Sequence, residues 1–466
     1  MTVAALGAGV AMAPAAHAEW GVQLVHEGQS IQAAVDAAAD GDTVLVMPGT
    51  YRESVQITRN VTLEGVGSGL VTITAPAGQG VQAAPAAPSP APGTAPAAAP
   101  VTGPAGTQSA APAATPNGTA SAAAKPGAAQ SVTSTTGADM PAAGKPGVGK
   151  PDAGKPDTAK PDTAKPDAGK PDADMPAAGK PDAGKSDAAK TETSTTVTGT
   201  TTQAACAAAG HGICVTGADG HALTAVRIES VTVTGFRANG IDVSGTDGMV
   251  VRRVTVKNNG QQGISQEKST RAVLRDNEAV GNGQSGIFVS NFVNAEGGAL
   301  DTRGTVIAGN TLSGNRIGVT VRRARVMAVE NNTVTGNCGG VFVVGDENNP
   351  KAGDLDIRQN KITDNNKFCA SNGRLPAIQG TGVLLTGAED TRVTDNTITG
   401  NSGTSPMSGG VVLYPSEVGV ANLRDQVSGN TLTGNSPADL ADRDTKGTGN
   451  TFSANSCSVS EPAGRC

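Results

Sequence analysis

Residues 309–343 read GNTLSGNRIGVTVRRARVMAVENNTVTGNCGGVFV and contain one unit twice, with the shared pattern N-T-[LV]-x-G-N-x-x-G-V-x-V. In each copy a short strand around Leu312 or Val334 runs into an Asn-bearing turn at Asn315 or Asn337. A second short strand follows, carrying Val319 and Val321 or Val341 and Val343 at every other position. One copy cannot bury its own apolar side. Stacked copies can, so the unit predicts a solenoid whose interior is a continuous column of Val, Ile and Leu.

Outward from this stretch the second strand recurs as NGIDV at 239–243, QGIS at 262–265, SGIFV at 285–289, TGVLL at 381–385 and GGVVL at 409–413. Ile241, Ile264 and Ile287 are 23 residues apart, and Val319 and Val341 are 22 apart, which leaves room for three strands and three turns per coil. A leucine-rich repeat would need an L-x-x-L-x-L frame, and a calcium-binding β-roll would need Gly and Asp at nine-residue spacing. Both patterns are missing, and the expected fold is all-β, a right-handed parallel β-helix of about ten coils. Asn310, Asn332, Asn360, Asn396 and Asn430 each precede a second Asn by five residues, at Asn315, Asn337, Asn365, Asn401 and Asn435. Asn tolerates a left-handed turn, and its amide can bond the equivalent amide one coil away, so these residues are expected to form structural ladders rather than ligand sets.

A chain of 466 residues could hold several ordinary domains, but the repeats favour one elongated one. Aromatic residues make up only 2%, as a core of stacked aliphatics allows. The formal net charge of -6 and the lack of a basic run interleaved with aromatics argue against nucleic acid as a partner. The Ala-rich start, ending in Ala16-His17-Ala18, reads as a signal peptide over residues 1–18, although no basic stretch precedes it. It is too short, and too interrupted by Pro14, to span a bilayer, and no other stretch could. A secreted, extracellular monomer is expected. The six cysteines fall into neighbours, Cys206 with Cys214, Cys338 with Cys369 and Cys457 with Cys466, which favours disulfides in such a chain. A zinc site is the rival reading, with no CxxC or His cluster behind it. No cofactor or metal is expected; calcium is left open, with no motif behind it.

Near the amino end, Ser30 caps a short helix that places Ile31, Ala34, Val35 and Ala38 on one face, over a first strand at 43–47. Such a helix covers the open apolar end that a solenoid otherwise exposes. The opening I-Q-x-A-V-x-x-A-x-x-G-D-T-V-x-V-x-P-G-T-Y-x-E, followed by the N-x-[TI]-[VI]-x-G-N coils, resembles the pectin-lyase-like superfamily. More closely, residues 24–76 and about 205–466 resemble the bacterial secreted right-handed parallel β-helix repeat proteins. The resemblance implies the fold and leaves the chemistry open, because its motifs are scaffold.

Four segments follow: the signal peptide at 1–18, a cap and first coil at 19–77, an insertion at 78–204, and the repeats at 205–466. The insertion is rich in Ala, Pro, Gly, Thr and Ser, with Lys-Pro-Asp pentads near 150–170. It cannot bury enough apolar surface to offset its chain entropy and is expected to be disordered. Loop closure costs grow slowly with length, so the solenoid tolerates it.

In G-[IV]-x-[VL] the flanking apolar residues point inward, leaving two outward columns. One reads Asp242, Ser265, Phe288, Thr320, Phe342, Leu384, Val412; the other reads Ser244, Glu267, Ser290, Arg322, Val344, Thr386, Tyr414. Glu267 and Arg322 are two coils apart, roughly 9–10 Å. Asp242, Glu267 and Arg322 are the catalytic candidates, and Phe288, Phe342, Tyr414 and Arg323 the substrate-binding ones. Loops at 291–304 (with Glu296, Asp301 and Arg303) and 345–353 (with Asp346 and Glu347) are expected to wall a groove over that face. Carboxylates with an arginine fit acid–base or lyase chemistry on an acidic polysaccharide. They also fit an ordinary solvated face.

Residues 49–53, GTYRE, are similar to the opening motif of pectin methylesterases, whose later Gln-Asp and Asp-Phe-x-Phe-Gly segments are missing. Gly210-His211-Gly212 has no Asn-x-Asp or Asp-Asp pair upstream, as polygalacturonases require, and reads as a turn. Pectate-lyase Arg-x-Pro-x-x-Arg and alginate-epimerase Asp-Pro-His patterns are also missing. The expected function is binding, with cleavage or epimerisation, of an extracellular polysaccharide or cell-wall glycan. The alternative is a non-catalytic envelope or surface scaffold. A third reading, metal-site assembly in the periplasm, lacks His or Met clusters.

Overall fold

Apolar residues at the centres of three-residue strands, such as Val256, Leu312, Val334, Ile362, Ile398 and Leu432, are at most 1% exposed, while their two neighbours face outward. This period-two pattern lets every coil turn one face inward. In the computed structural model the described residues are 21–81, 200–218, 220–291, 297–372 and 375–466. The signal peptide, residues 82–199 of the expected insertion, and Glu296 lie outside them.

The strands form three sheets of twelve, eleven and ten strands, in which each strand lies beside its counterpart one coil later. The ladders between named strands are parallel. In the ten-stranded sheet, for example, Leu312, Val334, Ile362, Ile398 and Leu432 stand in register through successive coils. Their inner faces merge into one aliphatic core running from Val25 to Leu440. The fold is a parallel β-helix.

The coils on either side of residues 82–199 are neighbours in this stack. Val55–Ile57 pairs with residues 213–215, residues 62–64 pair with Arg227–Glu229, and residues 72–74 pair with Thr232–Thr234. Gly80 bridges Phe236, and a helix, Thr200–Ala209, already occupies the far end. Its Ala-rich sequence favours helix, and the Cys206–Cys214 disulfide ties it to the strand Ile213–Thr216. Cys338–Cys369 and Cys457–Cys466 are also bonded.

The amino-terminal cap is the helix Ile31–Ala37, where Ser30 Oγ accepts the Ala33 N–H at 3.2 Å. Glu53 finishes the helix start, accepting from Ile31 N at 2.7 Å and Gln32 N at 3.2 Å, and so satisfies donors that a helix leaves open. Ile31 and Val35 are buried against the first coil and close the end of the core.

Two asparagine ladders run along the corners. In one, Asn277, Asn310, Asn332, Asn360, Asn396, Asn430 and Asn455 are linked coil to coil. In the other the chain runs from Asn259 through Asn282, Asn315, Asn337, Asn365, Asn401 and Asn435 to Asp439. Typically each Oδ1 accepts the backbone N–H and the side-chain amide of the preceding rung, and each Nδ2 also donates to a backbone carbonyl. The left-handed turn falls elsewhere than expected. It is the residue before each ladder Asn that has positive φ, as at Gly314 (66°), Asn331 (56°), Gln359 (55°), Asp364 (54°) and Asp395 (55°). The ladder Asn is thereby freed to turn its amide inward, and the recurrent Gly-Asn, Asp-Asn and Asn-Asn pairs record this division of labour.

Candidate functional site

The candidate site lies on the outer face of the eleven-stranded sheet, where a groove is partly covered by loops. Its strands are five or six residues long in the middle of the stack, as in Ser285–Ser290, Ile317–Arg322, Gly339–Val344, Thr381–Thr386 and Gly409–Leu413. The register is the expected one: Asp242, Ser265, Phe288, Thr320, Phe342, Leu384 and Val412 stand in one column. Ser244, Glu267, Ser290, Arg322, Val344 and Thr386 stand in the other.

Over these columns lies a groove of about 860 Å³. Asp242, Glu267, Phe288, Arg322, Arg323, Phe342 and Tyr414 all line it. The topology thus brings all seven candidates onto one surface.

Their exposure differs from expectation. Phe288 is 8% exposed and Phe342 only 2%, so neither ring is an open platform. Phe342, Leu384 and Val412 belong instead to a second apolar cluster outside the helix, together with Ile317, Cys338, Ile378 and Met407. Two loops cover it. The first is stapled by Cys338–Cys369 and held by Arg316, whose guanidinium donates to the Ala370 carbonyl at 2.8 Å and the Pro376 carbonyl at 3.2 Å. The second leads into Gly409–Leu413, and its Met407 carbonyl accepts from Thr381 Oγ1 at 2.8 Å. Tyr414, half-buried at the edge, is the aromatic that remains partly open.

The walls also differ. Gly345, Asp346 and Glu347 flank the groove as expected, but the described part of 291–304 does not. From Leu300 onward that segment is the strand Leu300–Ala308 of the twelve-stranded sheet, and Asp301 there accepts the Arg303 N–H at 2.8 Å. Asn372, Leu375 and Pro376 from the stapled loop, with Ser416, Glu417 and Val418, take its place. Arg323 pairs with Asp346, both side chains 14% exposed, and so braces the wall turn.

One lining residue, His211, lies in the Gly210-His211-Gly212 stretch that reads as a turn in the sequence. The Asn239 N–H donates to its Nδ1 at 3.1 Å, and Asn239 Nδ2 donates to Asp242 Oδ1 at 2.7 Å. Burial pushes the His211 pKa below its ordinary value, Arg237 pushes the same way, and Asp242 opposes them. A neutral imidazole, an amide and a carboxylate therefore meet at one end of the groove. Gly210-His211-Gly212 hid this, because the contact spans 28 residues.

Among the described residues no group of three or more His, Cys, Asp or Glu is placed to hold a metal ion. No helix among them is long and apolar enough to cross a membrane.

Residues 189–362 match the family model described as right handed beta helix region, and residues 293–463 match that of the periplasmic copper-binding protein NosD. No curated protein matches the chain. Among solved structures, the periplasmic alginate epimerase AlgG is 15% identical with a TM-score of 0.41, over 53% of this chain and 55% of its own. The Azotobacter vinelandii mannuronan C-5 epimerase AlgE6 A-module is 15% identical with a TM-score of 0.47, over 91% of this chain and 88% of its own. An alginate lyase from Paenibacillus sp. str. FPU-7 is 9% identical with a TM-score of 0.38, over 88% and 94%.

Proposed function

We propose that this chain, a parallel β-helix whose residues 189–362 match the right handed beta helix region model, is a secreted protein that binds an extracellular polysaccharide along its eleven-stranded sheet and cleaves or epimerises it there. The observation that carries this reading is the groove of about 860 Å³, with Asp242, Glu267 and Arg322 along its floor and Tyr414 at its edge. Sites for small or extended ligands are concave, with apolar walls and a few placed polar groups. The buried cluster under Phe342 supplies the rigid apolar floor, and Tyr414 offers a ring face for a sugar. Glu267 and Asp242 are suited to exchange protons with a sugar carbon or glycosidic oxygen. Arg322 would neutralise charge that develops beside them.

Copper does not suit these residues: the six cysteines are consumed in three disulfides, and no three-ligand group stands among the described residues.

The test exposes the purified protein to acidic and neutral polysaccharides, with and without calcium. It follows absorbance of unsaturated products, new reducing ends and bound polymer. Product that disappears in Glu267→Gln or Arg322→Ala supports an enzyme with this site. Retention without product supports a binding protein. Neither product nor retention leaves the non-catalytic scaffold.

A further inference from the structure

The groove changes polarity along its length, and its floor and one of its walls change at the same place. The floor column opens with Asp242 and Ser265 and continues through Phe288 and Thr320 to Phe342 and Leu384, one residue per coil. The wall on the side where the strands begin follows the same order. Gln261 and Gln284 precede the strands Ile264–Glu267 and Ser285–Ser290, whereas Leu375 and Pro376 precede Thr381–Thr386, and Met407 precedes Gly409–Leu413. One cavity thus has a polar half over its early coils and an apolar half from Gly339–Val344 to Gly409–Leu413.

Part of the apolar half is open. Phe342, Leu384 and Met407 are at most 5% exposed and form its base. Around them Val344 and Leu375 are half-buried, Pro376 is exposed, and Val418 is 54% exposed. A tight turn after Gly409–Leu413 holds Val418 in place: its N–H donates to Ser416 Oγ at 3.3 Å, and the Gly419 N–H donates to the Ser416 carbonyl at 2.9 Å. At the other ends of the strands, the Cys338–Cys369 bridge and Arg316 fix the loop that carries Leu375 and Pro376. Two anchored walls therefore hold apolar surface against water, and a ligand that covers it gains the free energy of burial. Glu347 and Glu417 also line this half, but both are exposed and keep their hydration.

A sugar ring stacks on a flat aromatic face, which Tyr414 offers at the edge. Val344, Leu375, Pro376 and Val418 present branched or cyclic aliphatic surface instead, which suits a hydrocarbon. On the basis of the glycan reading above, we propose that the ligand is amphiphilic: a sugar chain that carries an aliphatic group. Its hydroxyls bond Asp242, Gln261 and Gln284 in the polar half, and the aliphatic group lies between Leu375, Pro376 and Val418. The three strands of the apolar half span roughly 10 Å at about 4.8 Å per coil, which is about the length of an extended eight-carbon chain.

The experiment titrates the full chain with neutral tetrasaccharides of glucose, xylose and mannose, each free and as its octyl glycoside below the micellar concentration. For at least one sugar the octyl form is expected to bind about tenfold more tightly than the free form. That ratio should grow when sodium sulfate is added, as apolar contact does and charge pairing does not. Val418→Ser, at an exposed position whose loss leaves the core intact, should bring the ratio toward one, and so should Leu375→Ser. Gln284→Ala in the polar half should weaken both forms and leave the ratio where it was. A ratio near one in the wild type, or a ratio that neither Val418→Ser nor Leu375→Ser lowers, overturns this inference alone. No binding of any sugar in either form overturns it together with the glycan reading.

Discussion

The Asn239 N–H donates to Nδ1 of His211 at 3.1 Å, and this contact decides which tautomer faces the groove. An accepting Nδ1 leaves the ring proton on Nε2. The His211 pKa is lowered chiefly by burial. A histidine with a depressed folded pKa contributes stability that is fully present above its unfolded pKa, about 6.5, and is lost as pH falls from there through the folded value. Nitrogen-resolved NMR is expected to show an Nε2–H imidazole that titrates below 6.5. A cationic ring at pH 6.5 would contradict the arrangement.

Asn337 Nδ2 donates to Asn365 Oδ1 at 2.9 Å, while its Oδ1 accepts from Asn315 N at 2.8 Å. Asn337→Ala removes both; the buried Asn315 N–H loses its acceptor, while Asn365 Oδ1 keeps the Asn337 backbone N–H. The expected loss is about 1–3 kcal/mol for each orphaned group, read as a lower urea midpoint. Replacement of Asn331, which precedes the ladder at φ 56°, should act differently. Asn331→Gly should be nearly neutral, because only the left-handed backbone is required there.

Asp425 is fully buried at a corner of the core, and its Oδ1 accepts the Thr391 N–H at 2.9 Å. Its Oδ2 has no hydrogen-bond partner among the described residues. Burial first, then Asp390 and Glu389, push its pKa up to about 7, against the pull of Arg424 and the Thr391 N–H. The folded chain therefore binds this proton more tightly than the unfolded chain, so the contribution is greatest below about pH 4 and declines as pH rises to about 7. Asp425→Asn is expected to stabilise the protein at pH 8 by up to about 4 kcal/mol and to do little near pH 4. Thermal melts at the two pH values check this.

Much of the architecture is legible in residues 309–343, because strand period, coil length and ladder position are all local regularities. The strand columns follow directly from G-V-x-V, and so does the register that brings Asp242, Glu267 and Arg322 to one face. What the repeat could not convey is what lies over it. Phe342 occupies an outward position in the pattern, yet it is buried because the loops carrying Cys369, Ile378 and Met407 fold back over it. Such loops have no periodicity and no local signal of where they dock. His211 was missed for the same reason, since its partners Asn239 and Asp242 belong to the next coil.

Phe342 and Tyr414 line the same groove but should separate in experiment. Phe342→Ala empties a packed site in the second cluster and is expected to cost about 3–5 kcal/mol, seen in the denaturation midpoint. Tyr414→Ala, at the partly open edge, should cost much less stability while weakening retention of glycan. A Phe342→Ala protein with wild-type stability would show that the loop cover is loose.

The most direct measurement is electrophoresis of the native protein through gels containing a candidate glycan. Wild type, Tyr414→Ala, Glu267→Gln and a control, Thr397→Ala on the outer face of the ten-stranded sheet, would be compared. The groove account predicts retardation of wild type and the control by at least one glycan, with loss of retardation in Tyr414→Ala and Glu267→Gln. Equal retardation of all four proteins, or loss confined to the control, would contradict it and place the glycan elsewhere on the β-helix.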